Sequence, residues 1–250
     1  MDRVASSLLA AQLAAAKDWW RDAGVDCAFS DEVTAWLRDE PAEEPGEQSE
    51  KMVVKPKAPE APPIPAIGGD PAGWPQDCES FAAWWLSEPS LDAGGSNLRI
   101  APRGKAGAKL MVLVPEPEAG DSDTLLSGPQ GGLLASFFSA AGIDEAEAYV
   151  ASALPRHTPQ ADWEALQRCG LGEVMLHHIG LARPERLLIF GRGVLPLLGH
   201  NPAQNPALLR KVNHQGGSVP ALAARNLEMM LARPAERSKF WQHWLDWTDT

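Results

Sequence analysis

The stretch Leu110–Ile143, LMVLVPEPEAGDSDTLLSGPQGGLLASFFSAAGI, decides the fold of this chain. It begins with the apolar run LMVLV, passes through an acidic loop and a glycine-rich turn, and ends in an apolar segment typical of a helix. A short continuous apolar run is typical of a strand buried on both faces of a parallel sheet. Ligands of such sheets bind outside the carboxyl ends of the strands. The loop after Val114 is therefore the first candidate for a functional site.

The rest of the sequence extends this alternation of strand and helix. Strands are predicted at Leu110–Val114, Ala148–Leu154, Arg186–Phe190 and Ser218–Ala223, with a further edge strand at Leu98–Ala101. Helices are predicted at residues 80–86, 132–141, 160–180 with a break at 170–172, 193–198, 227–232 and 234–247. Strands separated by helices indicate βαβ units. The predicted fold class is α/β, a three-layer α/β/α sandwich with a central, mostly parallel four-stranded sheet.

Composition divides the 250 residues into three parts. Residues 1–39 are predicted to form an N-terminal helical element, with an alanine-rich helix at 4–22 and a short helix at 31–38. Residues 40–75 are rich in proline, glycine and acids, a composition that cannot form a packed core, and are predicted to be a disordered linker. Residues 76–250 form the main domain. Tryptophans at every third position of the last helix, Trp241, Trp244 and Trp247, predict a buried stripe.

Charge and cysteine content limit the function classes only weakly. The net charge of −11 argues against a nucleic-acid partner, but residues 151–250 hold eleven Arg or Lys against eight Asp or Glu. Because binding depends on the local patch, charge neither supports nor excludes DNA. The three cysteines form no CxxC pair, which favours a reducing cytoplasm. No apolar run is long enough to span a bilayer, so no membrane partner is expected.

Several motifs of the main domain match, in their order and spacing, the motifs of one known protein family. The family's Gly-Glu-Ala-Pro-Gly loop and Val-Gly-x-Ala-Gly-x-Leu-Leu turn are matched by VLVPEPEA and SGPQGGLL. Its Arg-Pro-type segment, cysteine-bearing helix and following strand are matched by YVASALPRHTP, Cys169 and ARPERLLIFGRG, and its last helix by MMLARPAERSKFW. Over about residues 76–248 the sequence resembles the uracil-DNA glycosylase superfamily, in particular its bacterial iron–sulfur branch. This resemblance implies a domain that binds DNA and hydrolyses a base–sugar bond.

The resemblance assigns catalytic and base-binding positions to this sequence. The acid that stabilises the sugar cation or directs water falls on Glu116, and the late histidine falls on Asn226. The base-reading asparagine falls on Ser152, which lacks an amide's paired donor and acceptor. The aromatic residue of the family loop is absent, and Leu125 lies near its place. These substitutions leave open a catalytically inactive descendant that binds DNA or protein.

Phosphate contacts and cofactors are the remaining expectations. Gly128 and Gly131 are candidates to present backbone amides to a phosphate, or are simple turn glycines. Arg156 and His157 follow the second strand and are placed to meet DNA phosphates. An iron–sulfur cluster needs four thiolates, but only Cys169 and, roughly, Cys78 match ligand positions, so no cofactor or metal is expected.

A protein partner and a different function class also stay open at this point. The N-terminal helices and the acidic linker are candidates to recruit a protein partner. A generic nucleotide-binding α/β protein, based only on the glycines near Gly128 and Gly191, is the third possibility.

Overall fold

The computed structural model describes residues 66–200 and 211–249, together with residues 14, 15, 17–19 and 22. The chain divides into two compact units, Met1–Ala58 and Pro59–Thr250. The described residues of the first unit are helical, as predicted for residues 4–22. The predicted helix at 31–38 and the linker up to residue 65 lie outside the described residues. Within the described part of the chain, no helix is long and apolar enough to cross a membrane.

The second unit is an α/β domain built on a five-stranded mixed sheet with the strand order β2-β1-β3-β5-β4. The strands are β1 (Leu110–Val114), β2 (Ala148–Ser152), β3 (Leu187–Phe190), β4 (Lys211–His214) and β5 (Gly217–Ala224). Strands β2, β1, β3 and β5 run parallel to their neighbours, whereas β4 pairs antiparallel with β5. The carboxyl ends of the four parallel strands therefore meet at one edge of the sheet.

Helices connect these strands and pack on both faces of the sheet. They are α1 (Cys78–Ser87), α2 (Pro129–Ala141), α3 (Trp163–Arg168), α4 (Leu171–Ala182), α5 (Leu227–Ala232) and α6 (Pro234–Thr248). Short 3₁₀ segments occupy Pro71–Gly73, Pro89–Leu91, Glu145–Glu147 and Arg192–Leu198. The predicted break of the long helix is confirmed, because Gly170 has a φ of 93° and separates α3 from α4.

Alternate residues of each parallel strand enter two different hydrophobic cores. Met111 and Leu113 of β1 pack in the core that contains α1 and α4, whereas Val112 packs in the core that contains α2, α5 and α6. All five residues of β1 are buried, as are those of β2. Both faces of the sheet are therefore covered, which explains the continuous apolar runs in the sequence. In the tryptophan stripe of α6, Trp244 is buried and its two neighbours pack against the same core.

The hairpin of β4 and β5 corrects the prediction of a four-stranded sheet. β4 has the sequence KVNH, in which only Val212 is buried, so its hydrophobic signal is too weak to predict a strand. It pairs with β5 across a tight turn that ends at Gly217, which has a φ of 138°. The fifth strand lies at the edge of the sheet and leaves the order of the parallel strands unchanged.

The edge strand predicted at Leu98–Ala101 is wrong. This segment passes along β2 without forming a ladder: Ile100 donates its backbone N–H to the Pro155 carbonyl, and Arg103 makes a single antiparallel bridge to Val150. Pro102 has no N–H to continue the pairing.

The ordered domain also begins earlier than predicted. Trp74, assigned to the linker, is 5% exposed and donates its indole N–H to the Gly68 carbonyl at 2.7 Å. Ile67 donates its backbone N–H to the Cys169 carbonyl, so the segment before α1 packs on the main domain.

Candidate functional site

A cleft of about 970 Å³ opens where the parallel strands end. Loops that follow β1, β2, β3 and β5 contribute to its wall, together with the amino ends of α2, α3 and α5. The lining residues are Pro115–Gly120, Ser127–Gln130, His157, Thr158, Gln160, Ala161, Trp163, Gly191–Gly193, Arg225, Asn226, Glu228 and Met229. The crevice lies where β1 and β3 are neighbours although β2 follows β1 in the chain, which is the usual ligand position in such sheets.

Glycine is required where the loops after β1 and β3 meet. Gly191 has a φ of 92°, and a Cβ there would lie 2.6 Å from the ring of Pro115. Gly193 lies against Trp163, whose indole nitrogen would be 2.4 Å from an added Cβ. These two close contacts require glycine at both positions. They account for the Gly-Arg-Gly sequence after β3 by packing, so the glycines are not evidence of a dinucleotide-binding motif.

Glu116, the predicted catalytic acid, lines this cleft. Its carboxylate accepts a hydrogen bond from the backbone N–H of Thr158, which lies on the loop after β2. Its side chain is 26% exposed, and one carboxylate oxygen lies 3.6 Å from Nδ1 of His157. The carboxylate is therefore held across two loops and remains accessible to a ligand in the cleft.

His157 lies beside Glu116, and the direction of its ring is fixed. Nδ1 lies 3.0 Å from the carbonyl oxygen of Pro117. Because a carbonyl only accepts, Nδ1 carries the hydrogen and donates, which leaves Nε2 as the lone-pair nitrogen of the neutral ring. No described residue forms a hydrogen bond with Nε2. The structure thus brings a candidate phosphate ligand of the sequence analysis next to the candidate acid.

Asn226, the third predicted residue in the cleft, comes from the loop after β5. It is the N-cap of α5, and its Oδ1 accepts a hydrogen bond from the backbone N–H of Met229 at 3.3 Å. This contact fixes the orientation of the amide, because the oxygen is used by the helix. The Nδ2 hydrogens then remain available as donors to a ligand.

Gly128 and Gly131, the predicted phosphate-binding glycines, have an internal partner. Their backbone N–H groups donate to the carboxylate of Glu118, each at 3.1 Å, and Gln130 does the same at 3.1 Å. The amino end of α2 is therefore occupied by an anion that the chain itself supplies. A second acid of the loop, Asp121, completes this arrangement: it is 9% exposed and accepts from the backbone N–H groups of Glu118, Leu126 and Ser127.

Three other predicted residues lie away from the cleft. Ser152 is 2% exposed and donates its hydroxyl to the Leu154 carbonyl at 2.7 Å. Leu125 is fully buried in the core beneath α2. Arg156 binds Asp92 at 2.9 Å and donates to the carbonyls of Gly95 and Asn97, so it organises the segment before β1. The structure does not bring these residues together with Glu116.

Two basic residues of the cleft were not predicted. Arg192 is the second residue after β3, is exposed and has no ion-pair or hydrogen-bond partner among the described residues. Arg225 follows β5, its side chain is 43% exposed, and its ion-pair partner among the described residues is Glu236, 3.8 Å away. Both arginines follow the carboxyl end of a parallel strand. The same position selected Glu116 after β1, so it was a signal that could have predicted the arginines as well.

The cysteines do not fit an iron–sulfur cluster. The chain has three cysteines, one fewer than the four thiolates such a cluster requires. Cys78 is partly buried, and this burial raises the pKa of its thiol, which disfavours the thiolate form that a ligand needs. Among residues 66–200 and 211–249, no group of three or more His, Cys, Asp or Glu is arranged to hold a metal ion.

The adjacent histidines of α4 belong to the core. His178 is 1% exposed, stacks on Phe81 with ring centroids 3.9 Å apart, and shares a 2.8 Å hydrogen bond with the hydroxyl of Tyr149. His177 bonds the Pro75 carbonyl at 2.7 Å. Neither lines the cleft.

No model of a known protein family matches the chain, and no curated protein resembles it in a sequence search.

Proposed function

We propose that the domain is a uracil-DNA glycosylase-like hydrolase that cleaves the N-glycosidic bond of a damaged base in DNA, in the cytoplasm. One observation carries the proposal: a carboxylate, an imidazole and a side-chain amide, from Glu116, His157 and Asn226, reach one cleft from three separate loops. Two of these three positions are those at which the resemblance implies catalytic groups. The four parallel strands and helices on both faces also agree with the architecture that the resemblance implies.

The proposed reaction needs three kinds of help. Cleavage of the bond between the sugar carbon and the base nitrogen leaves positive charge on the sugar, and the electron pair departs with the base. The carboxylate of Glu116 stabilises the sugar cation. Water then bonds to the sugar carbon and transfers its proton to Nε2 of His157, whose Nδ1 is held by the Pro117 carbonyl. Asn226 donates from Nδ2 to the base and stabilises its negative charge.

A second candidate function is a catalytically inactive descendant that binds DNA or a protein. A specific observation favours it: Ser152 stands where the resemblance implies the base-reading asparagine, and its hydroxyl is buried and bonded within its own loop. The end of β2 therefore presents no amide to a base. The N-terminal helices and linker would recruit the protein partner in this case.

Base release from defined oligonucleotides tests the proposal. Single- and double-stranded DNA containing uracil, hypoxanthine or xanthine is incubated with the full-length protein, and abasic sites are then cleaved with alkali. We expect strand breaks with at least one substrate. Glu116→Gln keeps an acceptor for the Thr158 amide but removes the charge, so it should lower the rate by about 10²-fold or more.

A matched variant separates catalysis from general charge effects. Asp123 lies on the same acidic loop, is exposed, and is outside the cleft lining. Asp123→Asn should retain wild-type activity. If the wild-type protein forms no product with any substrate, the hydrolase proposal is rejected and DNA binding without cleavage supports the inactive descendant.

A further inference from the structure

The cleft has an acidic half and a basic half, and the strand order creates this division. Glu116 and Glu118 follow β1, next to the loop after β2, whereas Arg192 and Arg225 follow β3 and β5. Because the order is β2-β1-β3-β5, the two arginines share one side of the crevice, and Glu116 and Glu118 lie on the other. Glu228, in the first turn of α5, is the acid of the cleft lining on the arginine side. A ligand with an anionic end and a hydrogen-bonding, uncharged end fits such a division.

We propose that Arg192 and Arg225 form the contact site for the backbone phosphates of DNA beside the cleft. This inference rests on the proposed function, since it names where the substrate's phosphates bind. The guanidinium groups present several N–H donors that match phosphate oxygens, and both side chains belong to the cleft wall. Phosphates bound here leave the attached base on the side of Glu116 and His157.

Apart from His157, which the proposed reaction uses as a base, the phosphate candidates of the sequence analysis are already engaged by other described residues. Glu118 occupies the backbone amides of Gly128 and Gly131, and its negative charge repels a second anion at the same helix terminus. Arg156 is only 15% exposed and is held by Asp92. The cationic groups that line the cleft and remain accessible are therefore on the β3 and β5 side.

The acids nearest to the arginines are weak competitors for them. Glu236 lies 3.8 Å from Arg225, but it bonds Lys239 at 2.9 Å. Glu228 is exposed in the first turn of α5, where its charge interacts favourably with the helix amides. An ion pair 3.8 Å apart whose arginine is 43% exposed contributes little, so a phosphate competes effectively with Glu236 for Arg225.

Salt-dependent binding of undamaged DNA tests this site without requiring catalysis. Anisotropy of a labelled duplex is measured with the full-length protein over a series of salt concentrations. We expect Arg192→Gln and Arg225→Gln each to reduce the slope of log K against log salt by about 0.9, and the double variant by about twice that. Arg192→Lys, which keeps the charge, should retain the slope.

The sequence provides a matched control on the same strand. Arg186 precedes β3 at its amino end, is exposed, and lies 5.5 Å over the ring of Trp247, whereas Arg192 follows β3 at the cleft. Arg186→Gln removes the same charge from the chain and should leave the slope unchanged. Three results would each overturn the site. The wild type and both cleft variants could show the same slope, Arg186→Gln could lower the slope as much as the cleft variants do, or the wild type could show no salt-dependent binding.

The two proposals fail in different ways. A protein that releases no base but shows the arginine-dependent slope lacks the proposed activity and retains the phosphate site. A protein that releases uracil with a slope independent of Arg192 and Arg225 is a hydrolase that binds phosphates elsewhere.

Discussion

The carboxylate of Glu118 accepts a hydrogen bond from the backbone amide of Gly131 at 3.1 Å, and so closes the amino end of α2 from within the same loop. A helix of this length carries a partial positive charge at its amino end. A side chain that satisfies this charge stabilises the loop and removes a ready anion site. The acidic loop after β1 thus has two functions: Glu118 and Asp121 hold its shape, while Glu116 remains accessible in the cleft.

Removal of the Glu118 carboxylate should destabilise the domain. Glu118→Ala leaves the amides of Gly128, Gln130 and Gly131 without their acceptor, and we expect a loss of about 1–2 kcal/mol in the free energy of unfolding. Urea denaturation measures the change. Asp123→Ala is the control, because this exposed acid contacts only the neighbouring Ser122 hydroxyl among the hydrogen bonds of the described loop. A Glu118→Ala variant as stable as the control would contradict the capping role.

The adjacent glycines of α2 should respond to alanine with opposite signs. A Cβ on Gly131 would lie 1.8 Å from the carbonyl oxygen of Leu126, whereas a Cβ on Gly132 would meet nothing within 4 Å. Gly131→Ala should therefore cost about 1–3 kcal/mol through overpacking. Gly132→Ala should stabilise by about 0.5–1 kcal/mol, because it reduces the entropy of the unfolded chain at a helical position. Thermal unfolding of both variants checks the prediction, and shifts in the same direction would contradict it.

The sequence predicted the positions of the strands far better than it predicted which groups the loop side chains bind by hydrogen bonds. β1 was predicted with its observed limits, because an apolar run lies between the polar Lys109 and the proline at 115. Glu116 and Glu118 are two residues apart with the same chemistry, and nothing local distinguishes them. Which one reaches the helix amides depends on the path of the loop.

The basic side of the cleft was missed for a related reason. Arg192 and Arg225 are distant in the chain and line the same cleft because β3 and β5 are neighbours in the sheet. Local hydrophobic patterns predict strands but not their order. Arg156 was selected instead, although Asp92, far away in sequence, binds it.

Asp92 should make the stability of the domain sensitive to acid. Although its partial burial raises the pKa of this carboxyl, hydrogen bonds from Arg99 and Arg156 outweigh that effect and lower the pKa below its ordinary value. The unfolded state therefore binds the proton at higher pH than the folded state. The stabilisation is complete above the ordinary pKa of about 4 and is lost as the pH falls through the lowered value.

Asp92→Asn provides the test. We expect it to reduce the free energy of unfolding at neutral pH and to converge toward wild type in acid, since the wild-type carboxyl is then protonated. Urea titrations from neutral pH to pH 3 measure this. Asp144→Asn serves as the control, because Asp144 is exposed and its carboxylate accepts a hydrogen bond from the nearby Ala146 amide rather than from arginine. A difference between Asp92→Asn and wild type that stays constant with pH would contradict the assignment.

His178 should add a second pH dependence, at higher pH. Its complete burial, with a smaller effect from neighbouring His177, lowers the pKa of His178 from 6.5 to about 3. Between these values the unfolded chain binds a proton that the folded protein excludes, so stability declines as the pH falls, by up to about 1.4 kcal/mol per pH unit. Above pH 6.5 the stabilisation that comes from the neutral, buried His178 is fully present.

His178→Phe tests this dependence. The variant should lose the hydrogen bond to Tyr149 at every pH, but its stability should decline less steeply between pH 6 and pH 4, as measured by urea denaturation. His243→Gln, on the exposed side of α6, should keep the wild-type slope. Parallel curves for wild type and His178→Phe would show that another group is responsible.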